Sequence, residues 1–401
     1  MIRLQSKVES LEHLISSSLR NTSDIPADHS PNLTSYEAGS GLEIFRREMM
    51  QFFPFVAIPT GMTREMLVVQ KPMLCMAIDV VTQQADLSTT FREKMSQRVV
   101  INGEKDLDLL QSILVYLAWN HVHVDPGTHF ITMVYIATAL TSQLGLDQIT
   151  RSRLGALREL ERPNDPKVHT NEEIRALLGL SWLTSTFSNT IQDISGLNLT
   201  MVADFGCQRL REFPSDAYLI QLTQIQQLAS STRSIYRGIL ELPMPQVEAT
   251  AAISSLNASV KDLGIRLDRS LPHPQLLTMS YCSLEVYLYK VSLDGICPDY
   301  IPSLFTAAIT IVNEFSNVRD SVIPFLPYPF WIQLGHAILI LSRVLAMGHD
   351  PMFSLHRFEF QGALEQLMHK LERVIRHGKE EARRLADICS MVELEQWYTG
   401  N

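Results

Sequence analysis

Residues 106–119 read DLDLLQSILVYLAW, and this stretch predicts the fold class of the chain. Its apolar side chains recur three and four residues apart, as at Ile113, Tyr116 and Leu117, which is the spacing of one helix face. The same spacing returns around Leu140 and across 174–180. Alternating patterns typical of half-buried strands are nearly absent. The sequence therefore predicts an all-α fold.

Glycine, proline and capping residues predict where several of these helices begin and end. Gly145 follows an apolar periodic stretch, where a helix is expected to stop, and Asn171 with two glutamates after it is typical of a helix start. Pro243 and Pro245 separate two long helical patterns. These signals predict a dozen or more helices, with no short internal repeat.

Composition divides the chain into four predicted parts. Residues 1–19 are a short coiled-coil candidate, and residues 20–41, rich in Asn, Ser, Asp, Pro and Gly, are expected to be a flexible linker because they offer almost no apolar surface to bury. Residues 42–386 form a large multi-helix domain. In residues 387–401 acids alternate with bulky apolar side chains, which predicts either a segment that recruits transcriptional partners or, as we favour, a terminal helix docked on the domain.

The amino-terminal segment carries a heptad pattern. Leu4 and Leu11 share one heptad position, and Val8 and Ile15 share the other, so these four residues are candidate dimerisation contacts. Two heptads are fewer than a stable coiled coil usually needs. An amphipathic helix folded onto the rest of the chain is therefore the alternative interpretation.

The overall charge argues against direct DNA binding by the helical domain. The 401 residues are 46% hydrophobic and carry a formal net charge of -9 at pH 7. DNA-binding domains are usually basic, because neutralising phosphates releases counterions. We expect this domain to be a poor DNA binder by itself.

The cysteines and the amino terminus indicate an intracellular protein. Five cysteines are far apart in sequence and never spaced as CxxC, so buried thiols in a reducing compartment are the simplest interpretation: Cys75, Cys207, Cys282, Cys297 and Cys389. Residues 1–9 are charged and do not resemble a signal peptide. We therefore expect a cytoplasmic or nuclear location.

Two long uncharged stretches, 126–146 and 321–342, have the length of membrane spans. Polar residues dilute the first, and the second contains Pro324, Pro327 and Pro329, which interrupt a continuous helix. Both are predicted to be buried helices of a soluble protein, with no membrane partner.

One group of residues has the spacing of a metal-dependent hydrolase. His121, His123 and Asp125, with His129 nearby, would suit zinc. The preceding sequence is helical, however, and successive histidines would diverge around the end of a helix. We therefore favour structural histidines and keep a metal-dependent enzyme as the least favoured alternative.

Other candidate sites have simpler interpretations. No GxSxG, glycine-rich phosphate loop, GxGxxG or HExxH motif occurs in the chain, so no catalytic residue is assigned. The acidic pairs Asp106 with Asp108 and Glu380 with Glu381 are expected to be solvated. Four large apolar residues are expected to be core rather than a cofactor pocket: Met133, Trp182, Phe330 and Trp331.

Three stretches resemble the fungal-specific transcription factor domain of fungal zinc binuclear cluster regulators. They are FPFVAIP at 53–59 with KPMLCMAI at 71–78, the stretch 106–119 continuing to 144–147, and EEIRALLGLSWLTSTFS at 172–188. They occur in the order that the family shows and cover about the first half of the helical domain.

The resemblance implies a nuclear, non-enzymatic regulator of fungal gene expression, often of a metabolic or secondary-metabolite gene cluster. Family members carry six cysteines upstream that hold two zinc ions and bind DNA, whereas this chain has no such cluster. No cofactor is therefore expected here, and zinc only if a cluster lies upstream. The implied partners are a second copy or a zinc-cluster factor, the transcription machinery, and DNA through a missing head. The alternative is a headless modulator that heterodimerises with full-length factors.

Overall fold

The computed structural model describes most of the predicted helical domain. The described residues are 41–82, 87–122, 129–146, 169–190, 207–241, 245–347 and 352–377. The predicted coiled coil at 1–19, the linker up to residue 40 and the terminal segment at 387–401 lie outside them and stay predictions. Gly41, which the composition placed in the linker, is the buried first residue of a helix.

The described residues form an all-α fold and contain no strand, which confirms the predicted class. The short helix α1 continues into a wider π-helical turn, Phe45–Met49, and then a tighter 3-10 turn, Met50–Phe52. The helices are α1 Gly41–Ile44, α2 Arg64–Gln70, α3 Pro72–Thr82, α4 Ser88–Ser96, α5 Leu107–Ala118, α6 Phe130–Gln143, α7 Asn171–Thr190, α8 Asp216–Glu241, α9 Gln246–Arg266, α10 Pro274–Tyr289, α11 Ile301–Asn317, α12 Tyr328–Met347 and α13 Met352–His377.

Local sequence explains many of the helix boundaries. The Asp106 side chain accepts a hydrogen bond from Leu109 N at 2.8 Å and so caps α5. Gly145 adopts φ +73 just after α6, as the sequence predicted for a helix stop, because this left-handed backbone favours glycine. The predicted start at Asn171 is the start of α7, and Pro245 lies immediately before α9.

The helices share one continuous apolar core. α3 packs along α5, which also contacts α6 and α7; α7 packs on α8, and α8 on α10. The last helices form a second packed group, in which α11 lies between α10 and α12 and also contacts α13. Trp119 joins the two groups, because its Nε1 donates to the carbonyl of Phe325 just before α12 at 3.1 Å.

α12 is the described helix that is long and apolar enough to cross a membrane by length and composition. The fold instead packs it against α7, α10, α11 and α13, and 61% of its most apolar stretch is buried. Burial inside a protein core explains the same composition. The sequence interpretation of this stretch as a buried helix therefore agrees with its packing.

Ion pairs hold α13 to the rest of the fold. Lys370 is buried, donates to the carbonyl of Val318 and pairs with Asp320 at 2.7 Å. Arg373, one turn later, also reaches Asp320 at 3.2 Å. The hydrogen bond from Lys370 holds the pKa of the Asp320 carboxyl below its usual value.

We expect a single added methyl group to test the tight packing of α7. A Cβ at Gly179 would lie 2.6 Å from Cβ of Phe55, so Gly179→Ala should destabilise the fold by roughly 1–3 kcal/mol. A Cβ at Gly238 on α8 would meet nothing within 4 Å, so Gly238→Ala should be neutral or stabilising by up to about 1 kcal/mol. Urea unfolding measures both, and equal effects would contradict the packing.

Candidate functional site

Buried and half-buried charged side chains gather at an edge of the fold where four helices begin. α3, α5, α7 and α8 start there, and hydrogen bonds or ion pairs connect each start to a neighbouring one. We call this the polar edge and define it by these residues: Lys71, Arg98, Asp108, Glu172, Arg175, Glu212 and Asp216.

Asp108 connects the start of α5 to the start of α3. Its carboxylate accepts from Met73 N at 3.1 Å and from Leu74 N at 2.7 Å, which are among the free amides of the first turn of α3. Burial raises the pKa of Asp108, although Arg98 lies 3.3 Å away.

The prediction that Asp106 and Asp108 form a solvated acidic face was therefore wrong for Asp108, which is only 7% exposed. Asp106 stays partly exposed and caps its own helix. The physical reason is that α3 needs a carboxylate acceptor for amides that its own turn cannot satisfy. The second acidic pair, Glu380 with Glu381, lies outside the described residues.

Two cations extend the polar edge in both directions. Arg98 pairs with Glu104 at 2.6 Å, Asp106 at 3.0 Å and Asp108 at 3.3 Å, so one guanidinium contacts three carboxylates. On the other side, Lys71 donates to Gln111 of α5 at 2.9 Å and to Glu172 of α7 at 2.8 Å. The starts of α3, α5 and α7 are thus held together.

A buried ion pair fixes the start of α8 against α7. Arg175 is 1% exposed and bonds both carboxylate oxygens of Asp216, at 2.8 Å and 3.0 Å. Asp216 also accepts from the amides of Glu212 and Phe213, at 2.7 Å and 3.0 Å. The guanidinium further reaches the Glu212 carboxylate at 2.8 Å and lies 4.8 Å from the Phe213 ring centroid. The pair therefore clamps α7 to α8 and also holds the turn that precedes α8.

The predicted hydrolase-like residues are only partly described. His121 is 1% exposed and its ring stacks on Tyr328 at 5.7 Å, with Trp331 at 6.0 Å, which is the packing expected of a structural histidine. His129 lies exposed just before α6, whereas His123 and Asp125 lie outside the described residues. Within the described ranges, no three His, Cys, Asp or Glu side chains come together as metal ligands.

The large apolar residues are core, as predicted. Trp182 is 1% exposed and its ring centroid lies 5.6 Å from Phe55, 5.9 Å from Phe53 and 6.0 Å from Phe330. Trp331 packs on the edge of Phe315, and Met133 is buried in α6. These contacts join α7 to α12 and to the chain before α2.

The described cysteines are free thiols. Cys75, Cys282 and Cys297 are buried, as predicted, whereas Cys207 is half-buried; Cys389 lies outside the described residues. Burial raises the pKa of the Cys75 and Cys282 thiols, which keeps them protonated and weakly nucleophilic at neutral pH.

Comparison with known proteins gives two informative relatives. Transcription factor himD of Aspergillus japonicus is 27% identical over 368 residues, which cover 83% of this chain and 60% of the relative. Transcription factor opdL of Penicillium oxalicum is 26% identical over 348 residues, which cover 79% of this chain and 61% of the relative. This chain is similar to fungal transcription factors.

The similarity extends along most of the chain and reaches well beyond the three stretches that carried the sequence resemblance. The chain spans about three fifths of the length of the curated relatives it matches. No family model matches the chain. No solved structure matches it either.

Within the polar edge, we expect loss of the Arg175–Asp216 pair to lower the free energy of unfolding the most. Arg175→Met leaves a buried carboxylate without its partner and should cost about 3–5 kcal/mol. Arg266→Met removes an exposed pair with Asp262 and should change stability by less than about 1 kcal/mol. Urea unfolding of both variants measures the difference. A loss below about 1 kcal/mol for Arg175→Met would contradict the clamp.

Proposed function

We propose that this chain is the helical regulatory region of a fungal transcription regulator and has no catalytic activity. The observation that carries the proposal is the similarity to two proteins named transcription factors, which extends over about four fifths of the chain. The all-α fold with an uninterrupted core supports it, because the sequence resemblance implied a helical domain of this size.

The electrostatics support a role in protein contacts rather than in DNA reading. The net charge is -9, and the cations of the polar edge are already paired with carboxylates. Releasing Lys71, Arg98 or Arg175 to bind phosphate would leave those carboxylates without partners. We therefore propose that DNA is reached through another segment or a partner, and that the helical region acts from the nucleus on a metabolic or secondary-metabolite gene cluster.

We further propose that residues 1–19 pair two chains through Leu4, Val8, Leu11 and Ile15, either with a second copy or with a zinc-cluster factor. Sedimentation velocity of the purified chain should then show a concentration-dependent dimer. Leu4→Glu with Leu11→Glu places charge in the apolar seam and should give a monomer. A wild-type chain that stays monomeric at every concentration would remove the pairing proposal and leave the regulatory role to be tested separately.

The regulatory role predicts that the chain changes transcription when it is brought to a promoter. Residues 1–401 would be fused to an unrelated DNA-binding domain in a fungal host that carries a matching reporter gene. We expect reporter expression to rise or fall several-fold relative to the DNA-binding domain alone, with the sign of the change distinguishing an activator from a repressor.

Two variants serve as controls for this experiment. Arg266→Met alters an exposed pair and should keep the effect on the reporter, whereas Arg175→Met should lose it with the fold. If the folded and expressed wild-type fusion leaves the reporter unchanged, the proposed function is wrong. If it has an effect only when a full-length zinc-cluster factor is present in the host, the headless-modulator alternative is favoured.

A further inference from the structure

α9, Gln246–Arg266, packs on α8 and α10 with one face and exposes the opposite face. On this outward face Val247 is 80% exposed and Ile265 is 85% exposed, which are high values for large apolar side chains. The two residues are 18 positions apart in the sequence. That separation makes about five turns of an α-helix, so both side chains lie on one line along α9. The face directed into the core consists of other residues: Ala249, Ile253, Leu256, Val260 and Leu263.

The outward face between Val247 and Ile265 carries small, uncharged side chains. Residues 249–260 read ATAAISSLNASV and contain no acidic or basic residue. The exposed positions nearest to the line between the two large side chains are Ala251, Ser254 and Ala258. A helix face that is covered only by water usually carries charges, as α13 does with Glu359 and Arg373. The outward face of α9 instead has the composition of a helix–helix contact.

The charged side chains of α9 lie near its two ends. Lys261, the cation closest to the small residues, turns toward α10 and donates to Glu285 Oε1 at 2.6 Å. Arg266 is the last residue of the helix and pairs with Asp262 at 2.8 Å, and Glu248 lies in the first turn. Glu248 and Arg266 are also 18 positions apart, so they share one flank of the outward face. This flank is acidic at the start of the helix and basic at its end.

The distribution of charge fits a second copy of α9 that runs antiparallel to the first. A two-fold axis beside the middle of the helix places Val247 of one copy against Ile265 of the other, and Glu248 near Arg266, at both ends of the pair. A guanidinium has donors enough for Asp262 and a second carboxylate. In a parallel pair Glu248 would face Glu248 and Arg266 would face Arg266, and these like charges would repel.

The distribution of side-chain size fits the same arrangement. Two crossed helices approach most closely at the middle of their contact and diverge toward its ends. Ser254 and Ala258 lie near the middle of α9, where small side chains allow the two backbones to come close. Val247 and Ile265 lie near the ends, where large side chains fill the wider space between the helices.

We propose that the outward face of α9 binds the same face of a second copy of this chain, in antiparallel orientation. A strip of helix about 30 Å long and roughly 10 Å wide buries about 600 Å² in total from two copies, which is below the size of a standard interface. The contact is therefore weak, with a dissociation constant of about 0.1–1 mM, and it does not form in dilute solution. It is distinct from the pairing proposed for residues 1–19 and does not depend on the regulatory function.

Sedimentation velocity of the full chain tests the contact, with Leu4→Glu and Leu11→Glu present so that residues 1–19 do not contribute. Between about 10 µM and 1 mM we expect the weight-average sedimentation coefficient to rise toward that of a dimer. Ala258→Lys places a charge in the middle of the contact and should weaken association at least about tenfold. Position 258 is exposed, so the circular dichroism spectrum should not change.

Thr306→Lys is the matched control, because it adds the same charge at an exposed position on α11 and should leave association unchanged. General repulsion does not explain a loss of association in Ala258→Lys, since an added lysine lowers the repulsion between copies of a chain whose net charge is -9. The proposal is overturned if the chain without either lysine stays monomeric up to about 1 mM, or if Ala258→Lys associates as strongly as Thr306→Lys.

Disulfide trapping measures the orientation of the pair. Ser254→Cys and Ala258→Cys variants, one of them carrying a size tag, would be mixed at high concentration and mildly oxidised. Antiparallel pairing brings position 254 of one copy opposite position 258 of the other, so the mixed disulfide should exceed both self-linked products. Predominant linking of Ala258→Cys to itself would indicate a parallel pair and overturn the arrangement. The reporter experiment tests the regulatory function separately, so the two failures are distinguishable.

Discussion

The arrangement of the first half of the fold depends on charge pairing where α3, α5, α7 and α8 begin. A helix start carries free amides and a partial positive charge, and bringing several together requires carboxylates to compensate them. Asp108 does this for α3, and Asp216 accepts from the amides of Glu212 and Phe213 in the turn before α8; both carboxylates are nearly excluded from water. Arg98 and Arg175 then neutralise those carboxylates, so each helix start depends on its neighbour.

The fold class was predictable from the sequence because it depends on local spacing of apolar residues. The polar edge was not, because its charge pairs join helices that are distant in sequence. The spacing of apolar residues in 106–119 and 171–190 reports which faces are buried, and both stretches are helices close to the predicted positions. The same pattern gave no reason to bury Asp108, because the amides it satisfies belong to a helix 35 residues away in sequence. Pro72 at the first position of α3 was the available signal of a helix start, but it does not identify the acceptor.

The same difference holds for the candidate sites: features set by local spacing were predictable, and those set by contacts between distant residues were not. The interpretation of Trp182 and Trp331 as core depended on helical spacing and was confirmed. The partners of Arg175 are about 40 residues away and depend on how α7 and α8 pack, which a single sequence does not specify. Unpaired atoms such as Gln226 Oε1 are still harder to predict, because they are defined by contacts that the fold does not make.

The seam between α7 and α8 connects these observations, because polar contacts cross it near its start, along its length and near its end. It begins with the Arg175–Asp216 pair, continues through Thr186 with Gln226, and ends where Arg233 donates to Asn189 Oδ1 at 2.7 Å. The partners advance in the same order along both helices, so α7 and α8 run parallel. Buried polar contacts add little net stability compared with apolar packing, but a shifted register would leave every one of them unpaired. The seam therefore fixes one alignment of α7 on α8, and that alignment places Gln226 beside Thr186, one turn from the Trp182 indole.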